Sequence, residues 1–404
     1  MTTSTQTTTT QQRDWAALEQ QYYQHTFKRS LVLERGQGVR VWDASGRDYL
    51  DLVAGISTNV LGHVHPAVVR AIQEQAARLI HVSNLYINER QVELAEELYG
   101  VSGGMRSFFS NSGAEANEGA IKLARKYGRL NRDGAFEIIS MDRSFHGRTL
   151  ATSAATGQKK YQDTWRPLPD GFKQVPFNDL DALKAATSAK TVGILVEAVQ
   201  GEGGIYPATR EYIQGLRAFC DEQNLILICD EVQAGVGRTG KFFSWEHFDV
   251  RPDITTMAKG LAGGVPIGAM LATPRADLFE PGEHGTTFGG NPLASAAGVA
   301  TVRTIVGDNL LQHVTEMGNY LGSQLDMLQA RYSNLITGTR GMGLIRAFDL
   351  SSERAQEVMD RAQEQGLLIT NAGPATIRTV PPLIIQRDEL DEAVEKLDAA
   401  LAAL

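Results

Sequence analysis

Leu225-Ile-Leu-Ile-Cys-Asp230-Glu-Val-Gln233-Ala-Gly-Val-Gly-Arg-Thr-Gly240 is a short apolar run that ends in a carboxylate and then breaks into glycines. A run this short, closed by glycine, reads as a buried strand. Further on, Pro252-Asp-Ile-Thr-Thr-Met-Ala-Lys259-Gly-Leu-Ala-Gly-Gly-Val-Pro266 sets a lone lysine after a second short strand, among small residues. Outward from these segments, between about 105 and 275, strand and helix patterns alternate. Apolar runs at Ser107-Phe-Phe, Phe136-Glu-Ile-Ile-Ser, Val192-Gly-Ile-Leu-Val and Ile267-Gly-Ala-Met-Leu-Ala are separated by helical stretches such as Glu118 to Tyr127 and Glu211 to Gln223. The alternation predicts an α/β fold with a large, mostly parallel sheet and helices on both faces. Ligands of such sheets bind beyond the carboxyl ends of the strands, which is where Asp230 falls.

The flanks read differently. The stretch after Asp14 looks helical, and Val39 to Leu52 alternates on both sides of Ser45-Gly46, as a hairpin does. His65 to Leu79 and Glu89 to Leu98 read as helices. Beyond about 300 come a long helix (Leu310 to Arg331), strands near 335–350, a helix near 352–365 and a terminal helix from Glu389. The expected organisation is a Thr/Gln-rich disordered tail over 1–12, a segment over 13–60 that joins a small domain, a large domain over 61–299, and a smaller α+β domain over 300–404.

With 404 residues the chain is long enough for two packed units. Its 42% hydrophobic and 21% charged content is that of an ordinary soluble enzyme, and a net charge of −8 argues against nucleic acid or an anionic membrane as partner. No run reaches the roughly 18 apolar residues of a spanning helix. The start has no apolar signal-peptide core, so a cytoplasmic location is expected. Cys220 and Cys229 read as small reduced core residues, and neither a disulfide framework nor a metal site is expected.

A carboxylate and a lysine at neighbouring strand ends suit pyridoxal phosphate. That cofactor needs an amine to form a Schiff base and an anion to keep its pyridine nitrogen protonated. Desolvation among small residues would lower the pKa of Lys259 from its reference of about 10.4 and free the amine. Ser112, Gly113 and Ala114 lead into a helix, where free N–H groups and the helix dipole favour phosphate, although capping alone accounts for the same residues. Phe145 and Arg148 in Phe145-His-Gly-Arg148-Thr are placed to stack on a flat ring and to grip a carboxylate; the plainer reading is a core Phe and a surface Arg. Glu202 lies in a glycine loop as a cofactor-site acid or a solvated one, and Gln233 has a donor for a phenolate oxygen. Thr286 and Thr287 sit in a polar loop before Asn291-Pro292, as phosphate ligands or as turn residues. Arg378 precedes Val380-Pro381-Pro382 in a strand-like stretch whose plainer reading is an exposed edge.

Taken in order, Asn111-Ser-Gly-Ala-Glu-Ala-Asn117, Phe145-His-Gly-Arg-Thr149, Asp230-Glu-Val-Gln233, Ala258-Lys-Gly260, Thr286-Thr-Phe-Gly-Gly-Asn-Pro292 and Pro381-Pro-Leu383 resemble the motifs of the class III, ornithine-type aminotransferases of the fold type I pyridoxal phosphate enzymes. The resemblance runs from about residue 15 to the end. It implies that Lys259 is the Schiff-base lysine and proton shuttle, that Asp230 pairs with the ring nitrogen, and that Phe145 stacks on the ring. Gln233 would reach the ring hydroxyl, with Glu231 and Val232 of the same motif beside the cofactor. The backbone of Ser112, Gly113 and Ala114 would hold the phosphate, joined by Thr287 from the second subunit of a homodimer with shared sites. Arg148 would hold the substrate carboxylate next to Thr286. Arg378 would take the α-carboxylate of glutamate, and Glu202 would pair with Arg378 when the other amino donor is bound. Ala198 departs from the family, which commonly has proline there; the change bears on loop stiffness.

Within the family, Leu61-Gly-His-Val-His-Pro66, Ser83-Asn-Leu-Tyr86 and Gln200-Gly-Glu-Gly-Gly204 are similar to the acetylornithine branch. Asn371-Ala-Gly-Pro374 and Gly285-Thr-Thr-Phe288 also resemble lysine-biosynthesis members, whose substrate rides on an amino-group carrier protein. The expected reaction moves the terminal amine of N-acetylornithine, or a similar N-blocked ornithine or lysine, to 2-oxoglutarate. A 4-aminobutyrate or free ornithine ω-aminotransferase is the competing enzyme, and a catalytically inactive structural homologue is the competing class. Intact Lys259, Asp230, Glu202 and both arginines weigh against the latter.

Overall fold

The run ahead of Asp230 folds as the strand Ile226–Asp230, buried at every position. A computed structural model describes residues 13–29 and 31–404, so the tail expected over 1–12 lies outside the described residues. Ile226–Asp230 is the central strand of a seven-stranded sheet in the order Arg106–Ser110, Gly268–Ala272, Ile254–Met257, Ile226–Asp230, Thr191–Val196, Glu137–Met141, Phe172–Val175. Gly268–Ala272 runs antiparallel to both of its neighbours, and the remaining pairings are parallel. Ser110, Met141, Val196, Asp230 and Met257 therefore end along one edge of the sheet, and Gly268 begins there opposite Ser110. Inner strands covered on both faces are buried and mostly apolar, which is why most were legible as short runs; Ile254–Met257 also buries Thr255 and Thr256. The outer strand Phe172–Val175 is half-buried and mixed in composition, and carries no such run.

Helix Gly113–Asn131 lies across the sheet, burying Ala116, Ala120, Ile121, Leu123, Ala124 and Tyr127. It begins at Gly113, ahead of the helical stretch read from Glu118, because Ser112 caps it: the Ser112 Oγ accepts the Glu115 N–H at 3.2 Å. Helix Arg210–Glu222 buries Tyr212, Ile213, Leu216 and Cys220. Both cysteines are buried and free.

The two ends of the chain share a sheet. Strands Leu33–Gln37, Arg40–Asp43 and Asp48–Asp51 form an antiparallel meander, and Asp48–Asp51 pairs in parallel with Leu367–Leu368. A further antiparallel sheet is ordered Ile336–Met342, Ile345–Leu350, Thr376–Thr379, Thr370–Asn371. Its neighbours include helices Leu310–Arg331 and Ala355–Glu364. Among the described residues no helix is long and apolar enough to cross a membrane.

One turn is strained. Ala54, Gly55, Ile56 and Ser57 all have positive φ, at 48°, 62°, 60° and 64°. Left-handed backbone costs an L-residue about 1–2 kcal/mol. The Asp51 Oδ1 offsets this by accepting the N–H groups of Val53 and Ala54 at 2.8 and 3.0 Å, while its Oδ2 lies 2.8 Å from His63 Nε2. The turn delivers Thr58 to the cavity described next.

Candidate active site

Beyond the carboxyl edge of the sheet lies a cavity of about 400 Å³. Loops from separate strands bring Ser112, Gly113, Ala114, Phe145, Arg148, Glu202, Asp230, Val232, Gln233 and Lys259 to its wall. These residues are far apart in sequence, and they meet because parallel strands end side by side.

Asp230 forms part of the floor. Its Oδ2 accepts Asn117 Nδ2 at 2.8 Å and lies 2.8 Å from His146 Nδ1; its Oδ1 accepts the Val232 N–H at 3.0 Å. A carboxylate cannot donate, so Nδ1 is the protonated nitrogen of His146. Asn117 is itself fixed, giving its second Nδ2 hydrogen to the His146 carbonyl at 2.8 Å and accepting Thr256 Oγ1 at 2.7 Å. Sequence reasoning missed both partners. Asn117 and His146 were each quoted only as members of their motifs, with no role given to either side chain.

Lys259 opens a short 3-10 turn after Ile254–Met257, with φ at +36°. Burial pushes its amine down to about 8; Arg378 adds to the effect, and Glu202, Asp230 and Glu197 oppose it. Arg378 is not the exposed edge residue of the plainer reading. It is 1% exposed on Thr376–Thr379, between Ile345–Leu350 and Thr370–Asn371. Its Nη1 donates to Glu202 Oε1 at 2.5 Å and to Gln233 Oε1 at 2.9 Å, and Gln233 Nε2 donates to Glu202 Oε1 at 3.1 Å. Burial raises the Glu202 carboxyl, but the Arg378 and Lys259 charges and the hydrogen bonds outweigh it and hold the group at about 2.

Glu231 differs from its expected position, and the two threonines lie outside the cavity of their own chain. Glu231 does not face the cavity: its carboxylate accepts the N–H groups of Ser244 and Trp245 at 2.8 and 3.2 Å and the Ser244 hydroxyl. Neighbours on extended backbone point to opposite sides, so Asp230 and Glu231 cannot serve one site. Burial pushes the Glu231 carboxyl up to about 7 despite these bonds. Thr287 is exposed and Thr286 half-buried, and neither lines the cavity of its own chain. Thr286 Oγ1 instead accepts Asn111 Nδ2 and the Gly289 N–H, both at 3.2 Å, closing the loop on itself. Arg148 does line the mouth, with its guanidinium 4.3 Å from the Tyr161 ring centroid and 5.4 Å from that of Phe145. Among the described residues no carboxylate pairs with it.

The profile of the class-III aminotransferase family matches residues 22–401. The chain belongs to the class-III aminotransferases. Among its relatives, the acetylornithine aminotransferase of Caldanaerobacter subterraneus is 49% identical over 96% of this chain and 98% of that protein. That of Methanocaldococcus jannaschii is 48% identical over 96% and 98%. Among solved structures, the ornithine aminotransferase of Toxoplasma gondii superposes with a TM-score of 0.93 at 30% identity, covering 96% of this chain and 94% of that one. The N-acetylornithine aminotransferase of Stenotrophomonas maltophilia gives 0.83 at 38%, covering 96% and 98%.

As a class-III aminotransferase the protein uses pyridoxal phosphate, and the cavity fits that group. Gly113 approaches Val232 so closely that a Cβ would lie 2.7 Å from Val232 Cγ1, and as the start of helix Gly113–Asn131 it and Ala114 carry N–H groups without intrahelical partners, suited to an anion. Val232 and Phe145 offer apolar surfaces for a flat ring, and Asp230 and Lys259 offer the anion and the amine the group requires.

Proposed function

We propose that this aminotransferase moves the terminal amine of N-acetylornithine, or a similarly N-blocked ornithine or lysine, to 2-oxoglutarate. Relatives of that name at 48–49% identity, matched over nearly their full length, support the reading. The observation that carries it is the pair of Glu202, in the cavity wall, with the buried Arg378 behind it, together with Arg148 at the mouth, which pairs with no carboxylate among the described residues.

Bound in the cavity, pyridoxal phosphate supplies an electron sink for negative charge at the carbon that bears the amine. The protein does the rest. Asp230, held by Asn117, His146 and the Val232 N–H, would present fixed negative charge to the ring nitrogen. Gly113 and Ala114 would hold the phosphate by backbone N–H groups, and Phe145 and Val232 would offer apolar surface to the ring. Lys259, with its lowered pKa, carries the proton to and from the substrate carbon.

One site must accept two amino donors. An N-blocked ornithine has a single carboxylate, far from its reactive amine, and Arg148 holds it. The amine end is then apolar, and a buried unpaired Arg378 beside it would be costly, so Glu202 neutralises the guanidinium. Glutamate brings a second carboxylate, which displaces Glu202 and takes Arg378. Stopped-flow measurement of the separate half-reactions tests this. Arg378→Ala is expected to slow the glutamate half much more than the acylornithine half, Arg148→Ala to slow both, and Glu202→Ala to slow the acylornithine half. Equal losses in both halves for Arg378→Ala refute the switch. Faster turnover of free ornithine or 4-aminobutyrate than of N-acetylornithine refutes the substrate.

We propose further that two chains share their sites. Leu85, Ile87 and Phe288 are 84%, 91% and 60% exposed. Asn84 ties their segments together, donating to the Thr286 and Gly289 carbonyls at 3.0 and 3.1 Å. An apolar patch of this kind next to Thr287 suits burial against a second copy, which would bring Thr287 to the partner's phosphate.

A further inference from the structure

The reaction as described leaves one buried acid of the cavity unused. Glu197 follows strand Thr191–Val196, is 5% exposed and lines the cavity. Its Oε2 accepts the Phe145 N–H and its Oε1 accepts the Gly201 N–H, both at 3.1 Å. These N–H groups belong to loops that follow different strands. One loop carries Phe145 and Arg148; the other carries Glu202. Gly201 is itself locked into the polar cluster: its carbonyl accepts Arg378 Nη1 at 3.5 Å, and a Cβ at Gly201 would collide with the Gln233 amide. Burial pushes the Glu197 carboxyl up to about 7, with Asp230 adding to the effect and the His146 charge opposing it. A carboxyl held where ionisation is costly needs a compensating partner, and the two backbone donors supply it.

We propose that Glu197 is a positioning residue that fixes the spacing between the Phe145–Arg148 loop and the Gly201–Glu202 loop, and that the selection between the two amino donors depends on it. It touches neither substrate nor reacting atoms and acts through Glu202. A side-chain amide of the same shape has one acceptor oxygen, and its NH2 faces a backbone N–H, so one loop must let go. Glu202 then meets Arg378 less well, and the acylornithine half-reaction, which needs that pair, suffers more than the glutamate half. The inference rests on the switch reading of Glu202 and Arg378.

Two measurements on the holoenzyme decide it. By hydrogen exchange, Glu197→Gln is expected to loosen segments 143–149 and 199–204 while strand Ile226–Asp230 keeps its protection. In stopped-flow kinetics its ratio of acylornithine to glutamate half-reaction rates is expected to fall roughly tenfold, in the direction of Glu202→Ala. The double variant Glu197→Gln/Glu202→Ala should show the ratio of Glu202→Ala alone, because the first residue acts through the second. Equal losses in both halves, an additive double variant, or unchanged exchange in both segments overturns the proposal. If Glu197→Gln does not fold, Glu197→Asp replaces it: the shorter carboxylate reaches one N–H but not both, and the same fall in ratio is expected. Arg378→Ala, run alongside, separates the two ideas. If its ratio is unchanged, the switch reading fails, and the exchange data still decide whether Glu197 holds the loops.

Discussion

Lys259 is pulled two ways. Burial lowers its pKa to about 8, and the Glu202 carboxylate works to raise it. Only the free amine attacks an aldehyde, so the apoprotein should take up pyridoxal phosphate faster as pH rises, levelling off above about 8. In Glu202→Ala a stabiliser of the ammonium is gone, and the plateau should come at lower pH; a profile unmoved by that change contradicts the assignment. Borohydride reduction followed by digestion and mass spectrometry should place the label on Lys259, and Lys259→Ala should lose on the order of 10²–10⁴-fold in turnover from the proton transfer alone. Asp230→Asn keeps the shape and removes the charge, and should slow both half-reactions by on the order of a hundredfold or more. Near-normal single-turnover rates would make Asp230 structural. The reagents of the site were readable because each sat in a short motif at a strand end. Glu231 was misplaced because adjacency in a motif was given more weight than the alternation of an extended chain, which sends its carboxylate to Ser244. Asn117, Glu197 and the Tyr161 ring under Arg148 could not be assigned, since their roles arise from strands and loops that meet only in the folded chain.

At the scale of elements, the join between Arg106–Ser110 and helix Gly113–Asn131 is a tight constraint on the phosphate end of the cavity. Gly113→Ala would set a methyl 2.7 Å from Val232 Cγ1. Overpacking of this kind costs about 1–3 kcal/mol. Here it should appear mainly as weaker cofactor affinity, because the helix start must move away from the Val232 side of the pocket. Titration of the apoprotein with pyridoxal phosphate measures it, and an unchanged affinity would mean that the turn yields without cost. The inner strands and long helices were legible from apolar runs and helical spacing; Leu310–Arg331 spans the range read from sequence. The short helix Leu150–Ala155 and the half-buried strand Phe172–Val175 were not, because small or mixed residues carry no period. The left-handed turn Ala54–Ser57 was also invisible. It depends on the Asp51 carboxylate and its His63 neighbour, not on the residues of the turn itself.

For the whole molecule, the proposed sharing of sites would make activity a matter of protein concentration. Diluted below its dissociation constant, the proposed dimer should lose cofactor as it separates, since each half gives up the partner's phosphate contact. Sedimentation with absorbance at the cofactor band follows both quantities together, and a cofactor-saturated, fully active monomer excludes the arrangement. The sheet order carries one more consequence, for synthesis. Among the described residues Arg106–Ser110 pairs within the large sheet only with Gly268–Ala272, and Asp48–Asp51 pairs on one side with Arg40–Asp43 and on the other with Leu367–Leu368. A chain emerging from the ribosome thus leaves Arg106–Ser110 unpaired, and one edge of the Asp48–Asp51 meander open, until their late partners leave the tunnel, and such edges attract chaperones and one another. The pocket is closed by the latecomers, so the nascent polypeptide gains its grip on the vitamin-derived group only when most of the message has been translated.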